Sequence, residues 1–143
     1  FRNFEDKCPK EFLDSLELAH KFVMSLFNKY DEVVLGGFSQ GAMITSHLLT
    51  QNLDENKLKG SILYSATLLA KEELIKGLDG KKPVPFIQSH GREDQVLDYN
   101  AAMKLFEFMK LNRYEGEFIS FTGAHEIPME VLHKTKSFLE KVF

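Results

Sequence analysis

Apolar positions along this chain follow one rhythm, then another, in regular alternation. Phe12, Leu16, Ala19, Val23, Leu26 and Tyr30 return every three or four residues, which predicts an amphipathic helix over 10–29. The short apolar run 33–36 then predicts a strand, and a helix follows from about 40 to 51. Residues 60–65 (Gly-Ser-Ile-Leu-Tyr-Ser) form the next strand and 71–76 a short helix. Pro83 and Pro85 lead into a third strand at 86–88, where a missing N–H is tolerated at the strand's start. Ala101, Ala102, Leu105, Phe106, Phe108 and Met109 make one side of a helix over 98–112, followed by a strand at 114–121 and a helix at 128–143. Strands alternating with helices of this length predict an α/β protein. The expected architecture is a three-layer α/β/α sandwich whose mainly parallel sheet is covered on both faces.

At 143 residues the chain fits a single domain, 1–143, able to bury about two-thirds of its unfolded surface. Its net charge of −3, with Lys and Arg scattered among acids, excludes a nucleic-acid surface. No run reaches the roughly 18 to 20 apolar residues of a membrane span, and no signal-peptide pattern is present. The chain opens on Phe1 rather than methionine. Cys8 is the single cysteine, so no internal disulfide forms; it reads as a bystander thiol in a reducing, cytoplasmic compartment. There are no internal repeats and no low-complexity linker.

The chemistry concentrates after the strands. Val33-Val34-Leu35-Gly36-Gly37-Phe38-Ser39-Gln40-Gly41-Ala42 is a buried strand, a Gly-x-Ser-x-Gly and the start of a helix. That is the context of a nucleophile elbow, in which the serine hydroxyl stands above the sheet beside free N–H groups of the helix start. A side chain at Gly37 or Gly41 is expected to crowd the turn. Parallel sheets carry function at the carboxyl ends of their strands. Ser39 follows the first strand, Asp94 lies after the third within Ser89-His90-Gly91-Arg92-Glu93-Asp94-Gln95-Val96, and His125 lies after the fourth within Thr122-Gly123-Ala124-His125-Glu126-Ile127-Pro128. The order Ser, Asp, His suits an α/β-hydrolase triad, in which a neutral imidazole activates the hydroxyl and a carboxylate fixes the imidazole.

Other residues compete for these roles. Glu93 reads as a solvated loop charge and Asp98 as a helix N-terminal residue. His20 and His133 read as surface or boundary residues and His47 as packed or partly exposed; His90, immediately after the third strand, reads as loop support, with a place near the site as the alternative. Phe121, Phe38, Met43, Leu68 and Leu69 are candidates to line an apolar acyl pocket, with ordinary core as the competing reading. The five histidines lack zinc-site spacing, His-Glu-x-x-His is absent, and Gly36-Gly37 belongs to the turn rather than to a phosphate loop. No metal and no cofactor are expected.

The blocks at 35–42, Ser89-His90-Gly91 with Asp94 and Val96, and Gly123-Ala124-His125 resemble the phospholipase/carboxylesterase family, which includes acyl-protein thioesterases and small bacterial carboxylesterases. The similarity runs from about Phe4 to the C-terminus. It implies Ser39 as nucleophile, Asp94 as orienting acid, His125 as base and the Gln40 N–H as one oxyanion donor. It also implies an N-terminal portion with several strands and a His-Gly-type loop giving a second donor. Nothing in the sequence matches that loop, so the four strands correspond to the C-terminal half of the hydrolase sheet. The strand bearing Ser39 then becomes an exposed apolar edge. The function implied is hydrolysis of carboxylic esters or thioesters with an apolar acyl group, with a serine peptidase a weaker alternative. A catalytically impaired remnant acting as a binding or self-associating module, such as a homo-oligomer paired through that edge, is the competing class.

Overall fold

Five helices and four strands alternate in the computed structural model, which describes residues 5–143. They are α1 (Lys10–Phe27), β1 (Val33–Phe38), α2 (Gln40–Leu48), β2 (Leu58–Tyr64), α3 (Lys71–Leu78), β3 (Phe86–Gly91), α4 (Tyr99–Leu111), β4 (Gly116–Phe121) and α5 (Met129–Val142). The strands pair in sequence order, β1-β2-β3-β4, and every pairing is parallel. A parallel neighbour requires a crossover, and α2, α3 and α4 supply the three.

Side-chain alternation along the strands divides the core into two layers. Leu35, Leu63 and Phe86 point to the face covered by α1, α2, α3 and α4, where they join Phe12, Met43 and Leu105. Ile62, Ile87 and Ile119 point the other way, toward Val131 and Phe138 of α5. Each fully buried residue of the size of Leu63 or Phe86 contributes about 1.5 to 3 kcal/mol. All six residues of β3 are buried, as expected of an interior strand in a parallel sheet. The three-layer parallel architecture is therefore the one the residue pattern predicts.

Two local expectations differ. Phe27, not Tyr30, completes the buried stripe of α1: the helix ends at Phe27, which is 3% exposed, and Tyr30 lies beyond it at 50%. The third strand continues to Gly91 because β4 pairs with it through Ser120 and Phe121, so His90 lies within the strand rather than after it.

Among the described residues β1 pairs only with β2, leaving its other edge open. Helix α5 packs on β2 and β3, and among the described residues nothing buries Gly36 and Phe38 of β1, which are exposed.

Candidate active site

The turn from β1 into α2 sets Ser39 in an unusual conformation, φ 59° and ψ −124°. Left-handed φ is strained for a residue with a β-carbon, at roughly 1 to 3 kcal/mol, and persists only where the surroundings impose it. Here the Ser39 N–H bonds the Tyr64 carbonyl at 2.8 Å, while its own carbonyl accepts from Ala42 and Met43 at the start of α2. The half-buried serine is thus held between sheet and helix. Gly37 permits the turn: a β-carbon there would stand 2.4 Å from the carbonyl carbon and oxygen of Gly41. The expectation for Gly41 is corrected, since a β-carbon there meets nothing within 4 Å. Strand and helix converge on the backbone of Gly41, not on the side where its β-carbon would project. Gln40 opens α2, so its N–H lacks the helical acceptor that interior residues find four positions back.

Asp94 sits in the tight turn after β3 with its side chain fully buried. Its Oδ1 accepts from the N–H groups of Val96 at 2.8 Å and Leu97 at 2.9 Å. Its Oδ2 accepts from His125 Nδ1 at 2.7 Å. Burial pushes the carboxyl upward, but the Leu97 N–H, the His125 ring and the Val96 N–H outweigh it and hold it below its ordinary value. Glu93 is exposed, and Asp98 caps α4 by accepting from the Ala101 N–H at 3.1 Å. Glu93 is thus a solvated loop charge and Asp98 a helix N-terminal residue, as the sequence predicts.

His125 is carried by the loop after β4, which closes directly over the end of β3. Gly91 permits that approach, because a β-carbon there would lie 2.2 Å from the Ala124 carbonyl oxygen. The Glu93 N–H bonds the Gly123 carbonyl at 2.9 Å, tying the acid loop to the histidine loop. The imidazole reaches Ser39 Oγ with Nε2 at 2.9 Å. A carboxylate only accepts, so Nδ1 carries the proton and Nε2 is free to accept from the serine hydroxyl. Three residues separated by up to 86 positions are brought into one hydrogen-bonded line.

Beside Ser39 lies a cavity of about 360 Å³ lined by Pro9, Glu11, Phe12, Ser39, Gln40, Met43, Leu69, Val96 and Leu97. Met43 and Leu69 are the expected lining residues that reach it. Phe121 and Leu68 belong to the core, and Phe38 packs on His125 instead. Pro9, Glu11 and Phe12 could not be foreseen, because they arrive from α1 by tertiary packing. A second hollow of about 540 Å³ opens beyond His125, between Val96, Gly123, Ala124 and Glu126.

The remaining histidines stand apart from the serine. His133 is exposed and His20 half-buried, while His47 is buried with Nε2 on the Leu69 carbonyl at 2.7 Å. His90 is fully buried, and its Nε2 bonds the carbonyl of Leu97 in the loop after β3 at 2.8 Å, in keeping with loop support; it also lies 3.2 Å from Asp94 Oδ2. The signal in the sequence was its place four residues before the acid. Cys8 is half-buried, and burial followed by Glu73 raises its thiol above the ordinary value, away from reactive thiolate. Among the described residues no three His, Cys, Asp or Glu side chains are grouped to hold a metal ion, and no helix is long and apolar enough to cross a membrane.

Comparison with known proteins places the chain in a family. The chain is 27% identical over 146 residues to acyl-protein thioesterase 1 of Candida albicans, covering 91% of this chain and 62% of that protein. It is 33% identical over 109 residues to acyl-protein thioesterase 1 homolog 1 of Dictyostelium discoideum, covering 74% of this chain and 47% of the relative. Among solved structures, Arabidopsis thaliana SOBER1 superposes with a TM-score of 0.79 at 22% identity, over 91% of this chain and 63% of that one. The Bacillus cereus carboxylesterase gives 0.74 at 19% identity, over 100% and 68%. The sheet and helices are thus those of an α/β hydrolase, and the chain spans about three-fifths of the first relative's length. The family profile described as phospholipase/carboxylesterase matches residues 4–143, and the chain belongs to that family.

Proposed function

We propose that the chain hydrolyses carboxylic esters or thioesters bearing an apolar acyl group, through an acyl-enzyme on Ser39. The observation that carries this reading is the continuous line from Ser39 Oγ to His125 Nε2 at 2.9 Å and from His125 Nδ1 to Asp94 Oδ2 at 2.7 Å. In this reading His125 takes the Ser39 proton as Oγ attacks the substrate carbonyl carbon, and Asp94 steadies the imidazolium. The Gln40 N–H, at the positive end of α2, faces the developing oxyanion. Collapse of the tetrahedral adduct expels the alcohol or thiol, which leaves with the proton from His125. Water, deprotonated by the same imidazole, then attacks the acyl-enzyme and frees the acid and Ser39. The cavity beside Ser39 accommodates the acyl group, and its Met43, Leu69 and Leu97 walls favour an apolar one. No step calls on a cofactor. The lone Cys8 supports a reducing, cytoplasmic setting.

Hydrolysis of p-nitrophenyl butyrate by the chain and by its Ser39→Ala variant tests the reading. The variant is expected to lose about 10³-fold or more of the rate. Equal rates in two folded samples would refute it. One observation favours a second reading, a binding or self-associating module: the open edge of β1. Light scattering that finds a strict monomer would remove self-association.

A further inference from the structure

His90 stands beside the triad with no task in the mechanism above. Its side chain is fully buried, with Nε2 2.8 Å from the Leu97 carbonyl oxygen and 3.2 Å from Asp94 Oδ2. A carbonyl only accepts, so Nε2 carries the proton. Nδ1 is buried and has no hydrogen-bond partner among the described residues. Protonating it would bury an N–H without an acceptor, so the ring stays neutral. The titratable groups facing it are Asp94 on the following turn, Asp98 and Tyr99 at the head of α4, and His125 after β4. Burial, the largest influence, lowers its proton affinity, with His125 adding to it; the Leu97 carbonyl, Asp94 and Asp98 oppose it.

The Leu97 peptide is held at both ends. Its carbonyl accepts from His90, and its N–H donates to Asp94 Oδ1. The same Nε2–H lies beside Oδ2, the oxygen that takes the His125 proton. We propose that His90 is a positioning residue of the triad. As a neutral Nε2–H donor it clamps the turn that cradles Asp94, and its dipole shares the carboxylate oxygen with His125. This rests on the hydrolase reading, since positioning matters only if the triad works. Without that dipole the carboxylate would hold the His125 imidazolium more tightly. His125 would then stay protonated to higher pH, and the acid limb of kcat/KM would move upward.

The test compares three variants: His90→Leu, which removes the donor; His90→Gln, whose amide N–H reaches the Nε2 position; and His90→Asn, whose amide stops short of it. The readouts are the NMR titration midpoint of His125 and the pH profile of p-nitrophenyl butyrate hydrolysis. In the Leu and Asn variants the midpoint should rise by about half a pH unit, less than the about one to three units a full charge produces. Their kcat should fall roughly 10-fold at unchanged KM, the size of one lost orienting bond. The Gln variant should keep the midpoint and most of kcat. If the Leu variant does not fold, the Asn and Gln pair decides. Equal midpoints in that pair would overturn the proposal, as would unfolding of all three, which would make His90 purely structural. Neither result touches the hydrolytic reading. Full activity in Ser39→Ala would instead overturn that reading, while the NMR midpoint would still report the link from His90 to His125.

Discussion

The ring of Phe38 lies 4.8 Å from the imidazole of His125, tilted by 35°. Phe38 immediately precedes Ser39 on the exposed rim of β1, so the residue before the candidate nucleophile supports the ring that would activate it. Aromatic pairs of this kind are worth about 0.5 to 1.5 kcal/mol. Truncating Phe38 to Ala should therefore lower kcat about 10-fold. The melting temperature should hardly move, because the side chain is already 38% exposed. Stopped-flow or plate-based hydrolysis beside thermal unfolding checks both halves; an unchanged kcat would show that the contact does not hold His125.

Gly37 and Gly41 flank Ser39 but carry different constraints. Gly37→Ala should destabilise the fold by about 2 kcal/mol or more, since backbone must shift to admit the β-carbon, and Ser39 should lose its register with His125. Gly41→Ala, in a helix with open space at the β-carbon, should keep or slightly raise stability. Urea unfolding of the two variants separates these outcomes, and equal losses would contradict the geometry of the turn.

Stability should fall as pH drops from 7 to 5. Burial lowers His47 and His90 below the ordinary 6.5, against the opposing pull of the carbonyls of Leu69 and Leu97. The unfolded chain then binds protons that the native state refuses. Their contribution is full above 6.5 and lost progressively below it, at up to about 1.4 kcal/mol per pH unit per group. Asp94 acts lower: held below its ordinary 3.8, it stabilises above that value and loses the contribution as pH falls through its native value. In His47→Gln, which keeps a donor for Leu69, the slope between pH 6.5 and 5 should shrink by one group. An unchanged slope in pH-dependent urea titrations would exclude His47 as a source.

Met43 lines the cavity beside Ser39 from the first turn of α2. Filling that space with Met43→Phe should lower kcat/KM for p-nitrophenyl octanoate relative to the butyrate by roughly 10-fold. Each apolar methylene denied its site forfeits about 0.8 kcal/mol. A chain-length preference identical to that of the unsubstituted chain would place the acyl group elsewhere, in the hollow beyond His125.

The order of strands and helices, the turn at Ser39 and the succession Ser39, Asp94, His125 were legible in the sequence. Each rests on local chemistry: apolar spacing over one or two turns, glycines around a serine, and chemical groups set just after strands. The family blocks at 35–42, 89–96 and 123–125 carried the rest of that reading. What the tertiary structure decided came from contacts between distant segments. β4 pairing carries β3 to Gly91 and buries His90 against Asp94. The 123–124 backbone closes over Gly91, and α1 brings Phe12 to the cavity while Phe121 and Leu68 stay in the core. A short apolar stretch states that it will be buried, because water rejects it wherever it lies. It does not state against what, since close packing is settled only when segments far apart in sequence meet.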